Sequence, residues 1–126
     1  MKLLFLPDTA DGPVLLFADA YGRAATVLQV AFESLANGQT KSVALHAVSG
    51  IEASEGLELI AATGGTSSTG GLKDNSRYRW TLRPLEWETV AALVEPFVTN
   101  VAGMQRHQYL GRVGAATVII STTDQW

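Results

Sequence analysis

Cysteine is absent from all 126 residues. That removes disulfides, thiolate-ligated zinc or iron–sulfur centres and any thiol nucleophile, and it fits a reducing compartment as well as any other. Charge is also scarce: nine Lys and Arg stand against twelve Asp and Glu, 17% of the chain, for a net charge of −3. So few cations cannot build the clustered positive field that a polyanion needs, so nucleic acid is not an expected partner. Long apolar runs are missing too, and none approaches the ~20 residues of a membrane span. The opening run Leu3-Leu4-Phe5-Leu6 is cut short by Pro7, Asp8 and Asp11, too early for the apolar segment of a secretory signal. These absences predict a soluble protein of the cytoplasm with no membrane partner.

Hydrophobic residues, at 47%, are plentiful. A chain of this length buries roughly two thirds of its unfolded surface and is expected to form one domain, 1–126. Residues 3–6 read as a strand. The stretch PVLLFA (13–18) is ambiguous, because Val14, Phe17, Tyr21, Ala24, Leu28 and Leu35 keep helical spacing from Pro13 onward. Gly22 would then lie mid-helix at a cost of ~1 kcal/mol relative to Ala, which favours a strand at 13–18 and a helix over 21–37, closed by Gly38. Strands are expected at 41–48 and 57–63. At 76–83, Tyr78, Trp80 and Leu82 alternate with Arg77, Arg79, Thr81 and Arg83, the pattern of a half-buried strand. Pro84 opens a second helix, clean over 84–95, with Pro96 expected to kink or end it. Strands at 107–111 and 116–121 follow, the latter apolar on both faces and so central. The order ββαβββαββ predicts an α+β fold: a mainly antiparallel five- or six-stranded sheet with two helices packed on one face.

GGTSSTGG (64–71) has the glycine spacing of a phosphate-binding loop. Gly71 stands where the lysine belongs, Lys73 comes too late, and a strand follows where a helix is needed, so the segment reads as a hairpin connection. His46, mid-strand, and His107 have no partner at metal-ligand spacing; no metal and no cofactor are expected. No Gly-x-Ser-x-Gly elbow is present, and no catalytic residue is assigned. Trp80, Trp87 and Trp126 offer a pocket lining, but spacing places Trp80 and Trp87 toward the core. Glu86, Glu88 and Glu95 lie along the second helix, as a solvated acidic face or as a dock for a basic protein. The most distinctive group is Arg77, Arg79 and Arg83 on one face of one strand. Their repulsion calls for carboxylates or an anionic ligand nearby, and Glu58, of matching parity on the preceding strand, is placed to pair with one of them.

The stretches WETVAALVEPF (87–97), HQYLG (107–111) and VIISTTDQW (118–126) resemble a group of short bacterial proteins of unknown function. In that pattern a helix carries Trp, Leu and Glu-Pro-Phe, a Gln-aromatic-Leu step follows, and the chain closes on Ser-x-x-Gly-x-Trp. Here Asp124 replaces the glycine. The resemblance covers the C-terminal half and implies no activity. Size and acidity are also similar to those of bacterial immunity proteins, the small inhibitors that neutralise toxins.

These features point to a non-catalytic binding module with a basic protein partner. The alternative is a binder of a small anionic ligand on the open sheet face around His46, Glu58, Arg77, Arg79 and Arg83. Strands 41–48, 57–63 and 116–121 carry apolar residues at both parities, which predicts an apolar sheet face covered in a homodimer.

Overall fold

A computed structural model describes residues 1–64, 76–99 and 105–125. The chain forms β1 (Lys2–Thr9), β2 (Gly12–Ala18), α1 (Arg23–Ala36), β3 (Ser42–Ala44), a 3₁₀ turn (Leu45–Ala47), β4 (Glu52–Ala53), β5 (Glu58–Thr63), β6 (Arg77–Leu82), α2 (Pro84–Val98), β7 (His107–Val113) and β8 (Ala116–Ser121). The α+β class is the expected one. No helix among the described residues is long and apolar enough to cross a membrane.

Residues 13–18 are a strand, paired antiparallel with β1 through Leu3↔Phe17 and Phe5↔Leu15. Pro7 is accommodated inside β1 because the register slips between Leu6 and Thr9, where a missing donor is tolerated. Helix α1 starts only after Gly22, whose φ of 58° breaks helical geometry, and Gly38 at φ 81° follows its end.

The strands divide between two sheets, in the orders β4-β1-β2-β8-β7 and β3-β5-β6. Pairing is mixed, antiparallel for β1/β2, β3/β5 and β7/β8 but parallel for β1/β4, β2/β8 and β5/β6. Strands 41–48, 57–63 and 116–121 therefore do not share one face, as the single-sheet expectation required. Alternation reports which side of a strand is buried but not its direction or its neighbours. The parallel register of β5 on β6 also excludes the expected hairpin between them; residues 65–75 of the glycine-rich stretch lie outside the described residues.

The expected strand 41–48 is three residues long. After Ala44 pairs with Ile60, the chain turns into the 3₁₀ segment, and the His46 ring takes over as partner of the next β5 amide: Leu59 N–H donates to His46 Nδ1 at 3.0 Å. Helix α2, in turn, runs through Pro96 to Val98. Proline here lies in the last turn, and buried Phe97 holds that turn on the core while its carbonyl accepts from Gly22 N–H at 3.0 Å.

That bond sets the two helices antiparallel. The start of α1 meets the end of α2, Gln29 Nε2 reaches the Ala91 carbonyl, and Phe32 stacks on Trp87 with centroids 5.4 Å apart. Trp80 of β6 meets both rings edge-on, 5.7 Å from Phe32 and 4.8 Å from Trp87. One continuous core joins these residues to Leu15 and Phe17 of β2 and to Val118 and Ile120 of β8. The opposite parity of the larger sheet forms a small second cluster, Val14, Leu16, Ala18 and Ile119, flanked by Leu4 and Leu6. Trp80 and Trp87 are fully buried, as expected; Trp126 lies outside the described residues.

Trp87 Nε1 donates to the Ala62 carbonyl at 2.9 Å, tying α2 to the central strand of the smaller sheet. Among the described residues Trp80 Nε1 meets no hydrogen-bond acceptor; an unmatched buried donor costs about 1–3 kcal/mol. Trp87→Phe keeps the stack but removes the Ala62 bond and some volume. It is expected to lower stability by about 1–3 kcal/mol, read from the urea midpoint at unchanged m-value.

Candidate functional site

Three of the five residues singled out on the smaller sheet come together on its outer face. Glu58 and Arg77 are register partners on β5 and β6, with Arg77 Nε 2.8 Å from Glu58 Oε2. Because His46 Nδ1 accepts from Leu59, its Nε2 carries the proton of the neutral ring and faces Glu58 Oε1 at 4.0 Å. Arg79 follows on the same face, opposite Ile60. Arg83 does not join them. It lies past the end of β6 as the residue before α2, where its N–H donates to Glu86 Oε1 at 3.0 Å and its Nε stands 3.8 Å from the same oxygen. The alternation runs one residue beyond the strand that produced it. Arg77 is thus committed to Glu58, which lowers its capacity to take up an added anion.

The two helices build a different surface. On α1, Gln29, Glu33, Ala36 and Asn37 share a stripe at helical spacing, and on α2 so do Glu88, Ala91, Ala92 and Glu95. Antiparallel packing brings the stripes edge to edge around a groove of about 700 Å³. Alanines form its apolar part and three carboxylates its charge, while no Lys or Arg among the described residues lines it. Three of the chain's twelve Asp and Glu line this groove. Gln29 Nε2 donates to Glu95 Oε2 at 2.5 Å and to the Ala91 carbonyl at 3.3 Å, which holds Glu95 in place. Leu85, 77% exposed, lies one turn before Glu88 on the same side of α2.

Helix electrostatics make these positions costly. Glu33 and Glu95 each open the last turn of their helix, near its negative end, and neither helix has a basic residue in that turn. A carboxylate there is unfavourable by about 0.3–1 kcal/mol. Sequence reading placed Glu88 and Glu95 along the second helix. Their convergence with Glu33 depends on helix direction, which periodicity does not carry.

A second cleft of about 570 Å³ is lined in part by Asp8, Asp11, Arg106, His107 and Ser121. His107 and Ser121 are cross-strand neighbours, yet Ser121 is only 1% exposed and its Oγ accepts from Thr123 N–H at 3.1 Å, so the Ser121 hydroxyl is not presented to the cleft. Among the described residues no group of three or more His, Asp and Glu could hold a metal ion. Neither a family model, nor a curated protein, nor a solved structure matches the chain.

Beside Asp19, whose φ is 61°, Lys2 Nζ lies 3.2 Å from Asp124 Oδ2 and 3.8 Å from Asp19 Oδ2. Its hydrogen bond and charge attraction to Asp124, then the attraction of Asp19, raise the Lys2 pKa above the ordinary lysine value. A raised folded-state pKa stabilises below the unfolded value and ceases to do so as pH rises through the folded one. Wild type is expected to exceed Lys2→Met in melting temperature near neutral pH, with the difference closing as pH rises through the raised Lys2 pKa. For the sheet pair, Arg77→Ala is expected to change unfolding free energy by under ~1 kcal/mol, as half-exposed ion pairs do.

Proposed function

We propose that this protein is a non-catalytic binding module of the immunity type, which captures a basic protein partner in the groove between α1 and α2. The observation that carries the reading is the set of carboxylates Glu33, Glu88 and Glu95 around an alanine-lined groove with no cation among its described walls. Two of them stand where they oppose their own helix dipole. A partner presenting Lys or Arg relieves that repulsion and the dipole conflict together, and the small alanine side chains allow its backbone or apolar groups to come close. The anionic-ligand alternative draws less support, since Glu58 already neutralises Arg77. A homodimer through the larger sheet is also less favoured, because Val14, Leu16 and Ala18 are buried within one chain.

Glu33→Gln and Glu95→Gln are each expected to raise stability by about 0.3–1 kcal/mol while weakening partner binding, the combination that marks a surface kept for function. The test is affinity capture from an extract of the source cells, with identification of the bound protein. The reading expects a basic protein, retained by wild type and by Arg77→Ala and lost with Glu33→Lys/Glu88→Lys/Glu95→Lys. Binding should weaken as salt approaches about 0.15 M and above. A partner retained equally by the triple variant overturns the assignment.

A further inference from the structure

We infer that Asn37 is a site of spontaneous covalent modification, at which the backbone nitrogen of Gly38 closes on the side-chain amide and the asparagine becomes aspartate or isoaspartate. The chain has three asparagines, and only Asn37 is followed by glycine, which sets no side chain beside the attacking nitrogen. Asn75 precedes Ser76, and Asn100 precedes Val101.

The fold leaves the reacting atoms open. Asn37 caps the C-terminal end of α1, and both it and Gly38 are exposed. Neighbouring amides are engaged: Asn37 N–H donates to the Glu33 carbonyl at 2.9 Å and Thr40 N–H to the Ser34 carbonyl at 3.2 Å. Among the described residues Gly38 N–H has no acceptor, so no hydrogen bond must break before this nitrogen gives up its proton. A Cβ built on Gly38 would meet no described atom within 4 Å, so nothing described covers the residue, and its φ of 81° is one that glycine adopts without strain.

The side chain is drawn along the same stretch of backbone. Gln39 N–H donates to Asn37 Oδ1 at 3.0 Å, which folds the carboxamide back along the peptide that follows it. Oδ1 is also the atom that takes up negative charge as Cγ becomes tetrahedral, and a donor already aimed at it stabilises that charge. Closure requires rotation about the Asn37 ψ angle, now 2°, which lies beyond Ala36, the last residue of the helix. The helix need not unwind.

In the first step the bond from Gly38 N to Asn37 Cγ forms and the Cγ–Nδ2 bond breaks; Nδ2 leaves as ammonia with the proton lost by Gly38 N. Water then opens the cyclic imide at one of its two carbonyls, giving aspartate from one and isoaspartate, with a longer backbone, from the other. Either product places a carboxylate one turn beyond Glu33, at the negative end of α1. Asn37 is a wall of the acidic groove, so the groove gains a fourth carboxylate. The reaction itself does not depend on capture of a partner there.

The test incubates the purified full chain at mildly alkaline pH and follows its digest by liquid chromatography and mass spectrometry, with an isoaspartate-specific methyltransferase to label that product. The peptide carrying residue 37 is expected to convert at least ~tenfold faster than those carrying Asn75 or Asn100, and Gly38→Ala should slow it by a similar factor. Melting temperature should fall as the converted fraction grows, since the new charge opposes the α1 dipole. Should Gly38→Ala not fold, wild type in urea replaces it: the native site is expected to react within about tenfold of its unfolded rate. The proposal is overturned if the residue-37 peptide is no more reactive than the other two, if it converts only in urea, or if folded Gly38→Ala reacts as fast as wild type.

Discussion

The contact among Phe32, Trp80 and Trp87 joins three elements that are distant in sequence: α1, β6 and α2. Phe32 and Trp87 lie nearly parallel, 13° apart, while Trp80 meets both edge-on. Such pairs contribute about 0.5–1.5 kcal/mol each beyond the area they bury. The larger effect is geometric. With the Trp87 indole bonded to Ala62, α2 is fixed against the smaller sheet; with Phe32 stacked on Trp87, α1 is fixed against α2. The relation of the helices to each other and to β5 and β6 follows from that one cluster.

The outer surface of the helix pair inherits this constraint. Because the aromatic faces meet in one direction only, the polar stripes converge on the other side, and their glutamates are brought together with no cation among the described groove walls. The core supplies enough stability to hold Glu33 and Glu95 at unfavourable helix positions. A chain selected for stability alone would carry lysine in those last turns. The same cluster leaves its third member, Trp80, with its Nε1 edge against Gly111 and no acceptor among the described residues. A packing solution at the centre thus determines both the acidic groove and the unmatched polar atom.

The smaller sheet shows how far strand periodicity reaches. Parity correctly set Glu58 beside an arginine, because facing residues in register share a side whether the strands run parallel or antiparallel. It failed for Arg83, since alternation has no marker for the point where β6 yields to the α2 cap, and for residues 45–48, where an imidazole replaces the backbone partner that a longer β3 would supply. Pro96 misled for a related reason: a lost donor ends a helix only where nothing else holds the following turn.

The sequence by itself determined the α+β class, the existence and approximate bounds of both helices and most strands, the burial of Trp80 and Trp87, and the exclusion of cysteine-based chemistry. These are local properties, legible from the spacing of apolar residues and the placement of Gly and Pro. Tertiary structure alone decided the division into two sheets, the parallel pairing of β5 with β6, the antiparallel helix pair, the groove that pair creates, and the isolation of the Trp80 N–H. Each of these depends on contacts such as Gly22 with Phe97 or Trp80 with Gly111, between residues far apart in the chain, and periodicity records which face of an element is buried but not what it is buried against.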